Sequence, residues 1–324
     1  MTVILNVIDN PRAFWVVNSL FVFALSVFCA GVLIPQILLI SFRKRLFDVP
    51  DERKIHQGVV PRLGGIAFKP VVFFSVALAL GLNMLLGYGQ LLGNIGSESR
   101  PLAFGFCTIM MLYLVGMADD LIGIRYRAKF AIQIICGLLV IAGGLWINNL
   151  HGLLFIHALP EWIGYPITLF AVVFIINAIN LIDGIDGLAS GLCGVAMLFY
   201  GLVFLRIGEY IYALLAFATL GVLVPFFYYN VFGDPAKKNK IFMGDTGSLT
   251  IGMMTCILSL KLLDGVPVNP SMQQPNAFFL AYSPLIIPCF DVVRVYLHRV
   301  RNGFSLKCLI FFMSLEKFPE NRFL

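Results

Sequence analysis

Charge is the first property that this sequence lacks. Only 12% of its 324 residues are Asp, Glu, Lys or Arg, whereas 60% are hydrophobic and the mean hydropathy is +0.92. Soluble proteins carry about 25% charged residues, and a soluble globule of this length could not hide so much apolar surface. The composition therefore excludes a water-soluble domain and predicts a membrane protein.

Several other signals are missing as well. The seven cysteines are scattered without a CxxC pair, so they predict neither a zinc site nor a disulfide framework. The N-terminus lacks a basic region, and the apolar run after it is too long for a cleavable signal peptide, so none is expected. With no internal repeat and no low-complexity segment, we predict one integral membrane domain over residues 1–324.

Long apolar runs are what the sequence has instead. A helix needs about 20 residues to cross a bilayer, and nine runs qualify: 14–42, 65–87, 102–118, 129–147, 165–182, 188–205, 210–231, 248–263 and 278–297. The sequence thus predicts an all-α transmembrane bundle of about nine spans. The spans that end at Asp119 and begin near Gly187 are expected to be short, which is tolerable where a helix end lines a polar cavity.

Basic residues separate the connecting loops into two sets. Alternate loops are rich in them: Arg43, Lys44, Arg45, Arg53, Lys54 and Arg62; Arg125, Arg127 and Lys129; Lys237, Lys238 and Lys240; Arg299 and Arg301. The other set holds little beyond Arg12, Arg100 and Arg206. By the positive-inside rule the first set is cytoplasmic and the N-terminus periplasmic, which predicts a multi-pass protein of a bacterial inner membrane.

The acidic residues gather on the same side as the basic loops. Five of them lie at predicted cytoplasmic helix ends: Asp119 and Asp120 in GMADDLIG, Asp183 and Asp186 in NAINLIDGIDGL, and Asp245 in FMGDTGS. For any single aspartate, a solvated helix end is the ordinary explanation. Five carboxylates on one face repel one another and are costly to desolvate, and a divalent cation removes that cost.

Oxygen ligands without a His or Cys pattern favour Mg²⁺, with Mn²⁺ as the alternative, over zinc. Mg²⁺ is commonly held by one or two carboxylates, with substrate phosphates completing its coordination. The pattern therefore predicts phosphoryl transfer at a site facing the cytoplasm. An ion-coupled transporter is the remaining alternative, although its carboxylates would lie nearer the bilayer midplane.

With these motifs in hand, the chain resembles the polyprenyl-phosphate N-acetylhexosamine-1-phosphate transferases, the family of WecA, TagO and MraY. The strings NAINLIDGIDGLASG and IFMGDTGSLTIG, following an Asp-Asp pair, carry the resemblance over a core of about 43–303. It implies transfer of an N-acetylhexosamine 1-phosphate, by default GlcNAc-1-phosphate, from a UDP-sugar to undecaprenyl phosphate. UMP is released, and a cell-surface glycan such as a lipopolysaccharide O-antigen is started. The lipid bilayer is a further partner, a homodimer is left open, and no nucleic acid is expected.

The resemblance also implies roles for the aspartates. Asp119 and Asp120 match paired aspartates proposed to act on Mg²⁺ or on the lipid phosphate. Asp245 matches the metal-ligand aspartate of the family. Together with Asp183 these residues are the expected catalytic group, with Asp245 and Asp120 as the expected metal ligands.

Other matched positions concern the donor. Asn180 and Asp183 match residues that line the nucleotide-sugar cleft. Asp186 and Phe242 match positions at the uracil pocket, where an aromatic ring can stack on the base.

The first cytoplasmic loop indicates the branch of the family. It reads HQGVVPRLGG, with Gln57 where the MurNAc-pentapeptide branch has a lysine, and it is similar to the WecA-like branch. Lys54, His56 and Arg62 are expected to contact substrate phosphate. Basic residues that only set the topology are the alternative explanation.

The end of the chain departs from the family pattern. In the family, the last cytoplasmic loop continues into a P-F-x-P-D stretch and a cluster of histidines. Here HRVRNG is followed by an atypical tail, 304–324, that contains no histidine. A truncated or frameshifted form is therefore expected, in which the nucleotide and Mg²⁺ sites form while turnover is weak or absent.

Overall fold

The computed structural model of the chain describes residues 11–44, 46, 60–88, 98–265 and 276–301. Within these ranges the protein contains ten α-helices: α1 Pro11–Lys44, α2 Phe68–Leu85, α3 Ser99–Ile122, α4 Tyr126–Ala142, α5 Glu161–Ile182, α6 Leu188–Ile207, α7 Tyr210–Val231, α8 Gly244–Gly265, α9 Asn276–Tyr282 and α10 Ile286–Arg301. No β-strand longer than a single bridge occurs there. The predicted all-α fold is confirmed.

Eight helical segments of the described chain are long and apolar enough to cross a membrane. A bilayer offers no water to backbone groups, so a long apolar segment satisfies its N–H and C=O groups internally as a helix. Many large apolar side chains on the outer surfaces of these helices are exposed, as lipid contact requires. The chain is a multi-pass membrane protein.

Three predicted spans differ in length from the helices that form. The fourth span ends earlier than expected, because α4 is 17 residues long and stops at Ala142 in a turn that contains Gly144 with φ +94°. The third and sixth spans are not short, since α3 has 24 residues and α6 has 20. Both were underestimated because their polar ends, including Asp119 and Asp120, continue the helix instead of ending it.

Helix α8 is the centre of the bundle. It packs against α3, α5, α6 and α9, and its most apolar 18 residues are all buried. Its buried hydroxyls donate hydrogen bonds to backbone carbonyls of the preceding turn, as Thr255 does to Ile251 at 2.7 Å. Such bonds satisfy polar groups inside an apolar core, so α8 can present polar residues at its ends without disrupting its middle.

The two ends of α8 meet different helix termini. At its start, Asp245 and its neighbour Thr246 contact the last turn of α3, and Asp245 also contacts residues of α4 and α5. We call this region, which contains Asp119, Asp120, Asp183 and Asp245, the aspartate end. Near the other terminus, Lys261 contacts residues that precede α3 and α7, and we call that region the far end.

Candidate functional site

Asp245 is at the centre of the polar contacts at the aspartate end. Its Oδ1 accepts a hydrogen bond from Nδ2 of Asn180 at 3.0 Å, and its Oδ2 accepts one from Nζ of Lys129. Asn180 also donates to Oγ of Ser248, one turn further along α8, at 2.8 Å. The carboxylate is only 9% exposed as a residue, so these contacts from α4 and α5 set its orientation.

Asp120 binds the start of α8. Its Oδ1 accepts the backbone N–H of Asp245 at 2.9 Å, and its Oδ2 accepts the N–H and the hydroxyl of Thr246 at 2.8 and 2.5 Å. The first N–H groups of a helix have no partner within the helix, and a carboxylate there also interacts favourably with the helix dipole. Asp120 of α3 thus caps α8 from another part of the chain.

Two glycines make this approach between α3 and α8 possible. A Cβ on Gly116 would lie 2.6 Å from the carbonyl oxygen of Asp245, so a side chain there would separate the two helices. Gly244 adopts φ +71°, a conformation that glycine reaches without steric cost. In the GMADD and MGDTG motifs, the glycines therefore allow the two backbones to come close, and this close contact positions the neighbouring aspartates.

Asp119, in the same turn of α3, contacts the start of α4 and the residues before it rather than the backbone of α8. Its Oδ1 accepts the N–H of Ile124 at 2.5 Å, and its Oδ2 accepts Nζ of Lys129 at 2.8 Å. Since Lys129 also contacts Asp245, one ammonium group lies between two carboxylates from different helices. All three side chains are 10–13% exposed, so the ion pairs are largely shielded from solvent.

Asp183 ends α5 beside these groups. By surface area it is half-buried, yet the protein packed around its carboxyl group raises its pKa well above the usual value. Desolvation is the largest cause, the charges of Asp245 and Asp120 add to it, and the charge of Arg62 opposes it. Arg62, from the first loop, thus lies close enough to Asp183 for their charges to interact.

A second group of contacts ties the loop after α5 to the loop before α8. Nζ of Lys240 donates to Oδ2 of Asp186 at 2.5 Å, and Oδ1 of Asn230 accepts the N–H of Gly187 at 2.7 Å. Nδ2 of Asn230 in turn donates to the carbonyl of Ile241 at 3.0 Å. The side chain of Asp186 is 30% exposed, so this group forms a more open margin of the site.

Phe242 is held by its backbone against the first loop. Its N–H donates to the carbonyl of Pro61 at 2.9 Å, and its carbonyl accepts the N–H of Gly64 at 3.0 Å. The side chain is half-buried. The segment from Lys240 to Asp245 therefore connects the margin around Asp186 with the aspartates.

Among the described residues, the charges in the contacts of the aspartate end do not balance. Four carboxylates, those of Asp119, Asp120, Asp183 and Asp245, interact with one lysine and one arginine in the contacts described above, which leaves two negative charges when all are ionised (4 − 2 = 2). A surplus of negative charge in a partly dry site favours a divalent cation.

The donor set fits Mg²⁺ rather than a closed protein cage. Among the described residues, no three His, Cys, Asp or Glu side chains come together as a metal-binding group. Mg²⁺ needs only one or two carboxylates, because waters and phosphates supply its other ligands. Asp119 and Asp245 offer two carboxylates that already share one cation.

The structure brings together most of the predicted site residues. Asp119, Asp120, Asn180 and Asp245 are linked by hydrogen bonds or through Lys129, and Asp183 and Arg62 interact electrostatically with this group. Asp186 and Phe242 belong to the adjoining loops. Lys54 and His56 lie outside the described residues, as does the tail 304–324. The individual catalytic and metal-binding roles stay predictions.

Sequence reasoning missed three residues of this site. The sequence places Lys129 only among the basic residues of a loop, although it bridges two of the predicted catalytic aspartates. Asn230 and Lys240, which hold the loops around Asp186, were not singled out as site residues. A helix that begins at Tyr126 places Lys129 in its first turn, next to the end of α3. Prediction of this helix start is the signal that could have identified Lys129 as a site residue.

Comparison with known proteins shows the family to which the chain belongs. Residues 102–263, which include all four aspartates of the aspartate end, match the model of glycosyl transferase family 4. The chain belongs to this family.

Relatives within the family extend the similarity beyond that region. The chain is 31% identical over 276 residues to the undecaprenyl-phosphate alpha-N-acetylglucosaminyl 1-phosphate transferase of Yersinia pestis, covering 82% of this chain and 67% of that protein. It is 30% identical over 285 residues to the probable undecaprenyl-phosphate N-acetylglucosaminyl 1-phosphate transferase of Bacillus subtilis, covering 86% and 71%. It is also 31% identical over 269 residues to the undecaprenyl-phosphate alpha-N-acetylglucosaminyl 1-phosphate transferase of Escherichia coli K12, covering 80% of this chain and 65% of that protein. The predicted family membership is confirmed.

Proposed function

We propose that this protein transfers N-acetylglucosamine 1-phosphate from UDP-N-acetylglucosamine to undecaprenyl phosphate and releases UMP. The observation that carries the proposal is the meeting of Asp119, Asp245, Lys129 and Asn180 at one end of a membrane bundle. Such a site suits a reaction in which a soluble pyrophosphate donor meets a lipid acceptor at the membrane surface. The names of the relatives, which refer to this acceptor and sugar, support the choice of substrates.

In the proposed reaction, an oxygen of the lipid phosphate attacks the β-phosphorus of the UDP-sugar. The bond from the β-phosphorus to the bridging oxygen breaks, UMP leaves with that oxygen, and the sugar becomes linked to the lipid through a pyrophosphate. At pH 7 a phosphate monoester is mostly dianionic, because its second pKa is about 6. The acceptor is therefore already a nucleophile, and the protein mainly has to position the reactants and neutralise their charge.

The residues of the aspartate end divide this work. Asp245 and one of the paired aspartates would hold Mg²⁺, or Mn²⁺ in its place, and the bound ion would offset the pyrophosphate charge. The contacts favour Asp119 as the partner of Asp245, since Asp120 uses both carboxylate oxygens to cap α8. Lys129 and Arg62 provide positive charge for phosphate oxygens, and the loops around Asp186 and Phe242 receive the nucleotide.

The proposed location is the inner membrane, with the aspartate end facing the cytoplasm. Several basic residues lie at this end, including Lys44 at the end of α1, Arg125 before α4 and Lys237 before α8. Since basic loops stay on the cytoplasmic side, this distribution supports the orientation. The position of the aspartates at helix ends, outside the middle of any span, argues against an ion-coupled transporter. Assembly as a homodimer stays a prediction.

The proposal is tested with the purified full chain by following UMP release from UDP-N-acetylglucosamine. Release that requires both undecaprenyl phosphate and Mg²⁺ supports the proposed function. UDP-N-acetylgalactosamine in a parallel reaction tests the identity of the sugar. Metal-dependent binding of the UDP-sugar without any UMP release would overturn the proposed turnover and favour the nucleotide-binding form.

A further inference from the structure

Lys69 is a charged residue in an apolar span that the proposed chemistry does not use. It is the second residue of α2, in a span that begins at Gly64, so it lies roughly 9 Å along that span. Charged residues within spans are costly and usually have a function.

Aromatic rings near Lys69 attract its ammonium group without neutralising it, while the surrounding protein partly removes it from solvent. Its Nζ lies 4.9 Å from the ring centre of Phe73 and 5.4 Å from that of Tyr113, and it contacts Sδ of Met110 on α3. Aromatic faces attract a cation through their quadrupole, whereas a thioether sulfur is a weak acceptor. No carboxylate of the described residues pairs with Lys69, so its positive charge is available to a ligand.

Lys69 lies close to the part of the bundle surface that faces lipid. The side chain is half-buried, and the neighbouring Met110 and Phe74 are 41% and 53% exposed on the outer surface of the bundle. We call the place between α2 and α3 where Lys69, Phe73, Met110 and Tyr113 meet the slot, and its outer edge, at Met110, faces lipid.

Direct contacts connect this slot to the aspartate end. The hydroxyl of Tyr113 donates to the carbonyl of Ile66 at 3.1 Å, and the N–H of Gly65, next to Ile66, donates to the carbonyl of Met243 at 2.9 Å. Met243 lies two residues before Asp245. On α3, Tyr113 lies about one helical turn before Gly116, which touches the backbone of Asp245. Measured along α3, Tyr113 beside Lys69 is thus about one turn from the level of the Asp245 backbone and about two turns from Asp119 and Asp120.

We propose that Lys69 binds the phosphate of the polyprenyl phosphate acceptor in this slot, as a docking position from which the lipid phosphate reaches the aspartate end. The inference rests on the proposed function, because that function supplies the lipid acceptor. A phosphate monoester carries nearly two negative charges at neutral pH, whereas the phosphate diester of a bulk phospholipid carries one. An unneutralised ammonium group beside lipid-exposed aromatic rings therefore matches the dianionic head of an isoprenoid chain better than a bulk phospholipid.

The test compares lipid binding by the detergent-purified full chain with that of Lys69→Met and Lys69→Arg, by native mass spectrometry. We expect Lys69→Met to weaken the binding of undecaprenyl phosphate about tenfold or more, as for loss of a charge-assisted hydrogen bond. Lys69→Arg should retain it within about threefold, because the charge remains. Lys44→Met, which removes an exposed lysine at the same end of the bundle, is the matched control and should bind like the unmodified chain.

Kinetics and a second lipid separate the alternatives. In turnover assays, Lys69→Met should raise the KM for undecaprenyl phosphate about tenfold and leave kcat and the KM for UDP-N-acetylglucosamine unchanged. Unchanged acceptor binding in Lys69→Met, or an equal loss of phosphatidylglycerol binding, would overturn the proposal. If Lys69→Met fails to fold, as judged by thermal unfolding, Lys69→Gln replaces it. Selective loss of acceptor binding in a chain that releases no UMP would support the docking site and overturn the proposed function.

Discussion

At the far end of α8, Lys261 lies between Glu98 and Glu209, whereas at the aspartate end Lys129 lies between Asp119 and Asp245. Both clusters set one buried lysine between two carboxylates. At the far end, Lys261 is 4% exposed and its Nζ lies 2.9 Å from Glu98 and 3.3 Å from Glu209. The hydroxyl of Tyr212 also donates to Glu98 at 2.8 Å.

The clusters differ in how their charges meet the helix dipoles. Glu98 and Glu209 directly precede α3 and α7, and Lys261 is near the end of α8, so each charge has the sign that its helix terminus favours. At the aspartate end, Asp119 and Asp120 lie in the last turn of α3 and Asp183 follows α5, where a negative charge is disfavoured. Asp120 and Asp245 also meet the start of α8, where a negative charge is favoured, but no helix terminus in these contacts offsets the charges of Asp119 and Asp183. We therefore expect the far end to be the structural cluster and the aspartate end to be the functional one.

The sharpest way to test this difference is to remove Asp245. Asp245→Asn should lower the rate of UMP release by at least about a thousandfold, because the Mg²⁺ ion that we propose it holds would contribute several kcal/mol to the reaction. Asp234→Asn makes the same chemical change on the loop before α8, where Asp234 caps the turn Pro235–Lys237, and should leave the rate within about twofold because Asn is an equally good cap. A rate in Asp245→Asn within tenfold of the unmodified chain would contradict the assignment.

Substitutions at the far end should lower the stability of the protein and leave the rate of UMP release unchanged. Lys261→Met leaves Glu98 and Glu209 buried without their cation, and breaking such a pair costs about 3–5 kcal/mol. We expect a clear fall in the thermal unfolding temperature and unchanged UMP release per folded molecule. Lys261→Met combined with Glu98→Gln should recover part of the stability. Loss of activity in Lys261→Met at full stability would reverse the roles of the two ends.

Asp120 distinguishes a cap from a metal ligand. Asp120→Ala removes three hydrogen-bond acceptor contacts from the start of α8 and should cost about 1–3 kcal/mol of stability, with a loss of activity through misplacement of Asp245. Thr246→Val, which removes only the hydroxyl contact, should cost less, about 1 kcal/mol. The measurement is thermal unfolding alongside Mn²⁺ affinity. Lost metal binding in Asp120→Ala with unchanged stability would show that Asp120 is a direct ligand, as the sequence predicted.

Asp183 gives a smaller effect that depends on pH. Its pKa is raised in the folded protein, chiefly by desolvation, so the folded state favours the protonated form. The stability that this provides is present below the ordinary pKa of an aspartate and is lost as the pH rises through the raised value. Asp183→Asn is neutral at every pH, so its unfolding temperature relative to the unmodified chain should increase from pH 4.5 to pH 8 in the presence of EDTA. A difference that is independent of pH would contradict this environment for Asp183.

Much of the fold could be predicted because its causes are local. Apolar runs of about 20 residues must become spanning helices, and basic loops mark one side of the bundle. Because Asp119, Asp183 and Asp245 all fall on that side, their convergence could be predicted without any knowledge of packing. The length of α3 could not, because its last turn makes contacts with α8, through Asp120, that the sequence does not reveal.

The details of the site depend on contacts between distant parts of the chain. In the sequence, Lys129 looks like any other basic residue of a loop. In the structure, it lies at the start of α4 and contacts Asp119 and Asp245. Asn230, near the end of α7, is likewise not distinctive in the sequence. In the structure, it forms hydrogen bonds with Gly187 and Ile241, which belong to two other loops. Such roles arise from helix packing, which periodicity and composition do not specify.

The central claim is that the aspartate end, and not the far end, binds the donor together with Mg²⁺. Its most direct test is the equilibrium binding of UDP-N-acetylglucosamine to the unmodified chain, Asp245→Asn and Lys261→Met, each with Mg²⁺ and with EDTA. We expect Mg²⁺-dependent binding in the unmodified chain and in folded Lys261→Met, and its loss in Asp245→Asn. Mg²⁺-dependent binding of equal affinity in Asp245→Asn would contradict the claim.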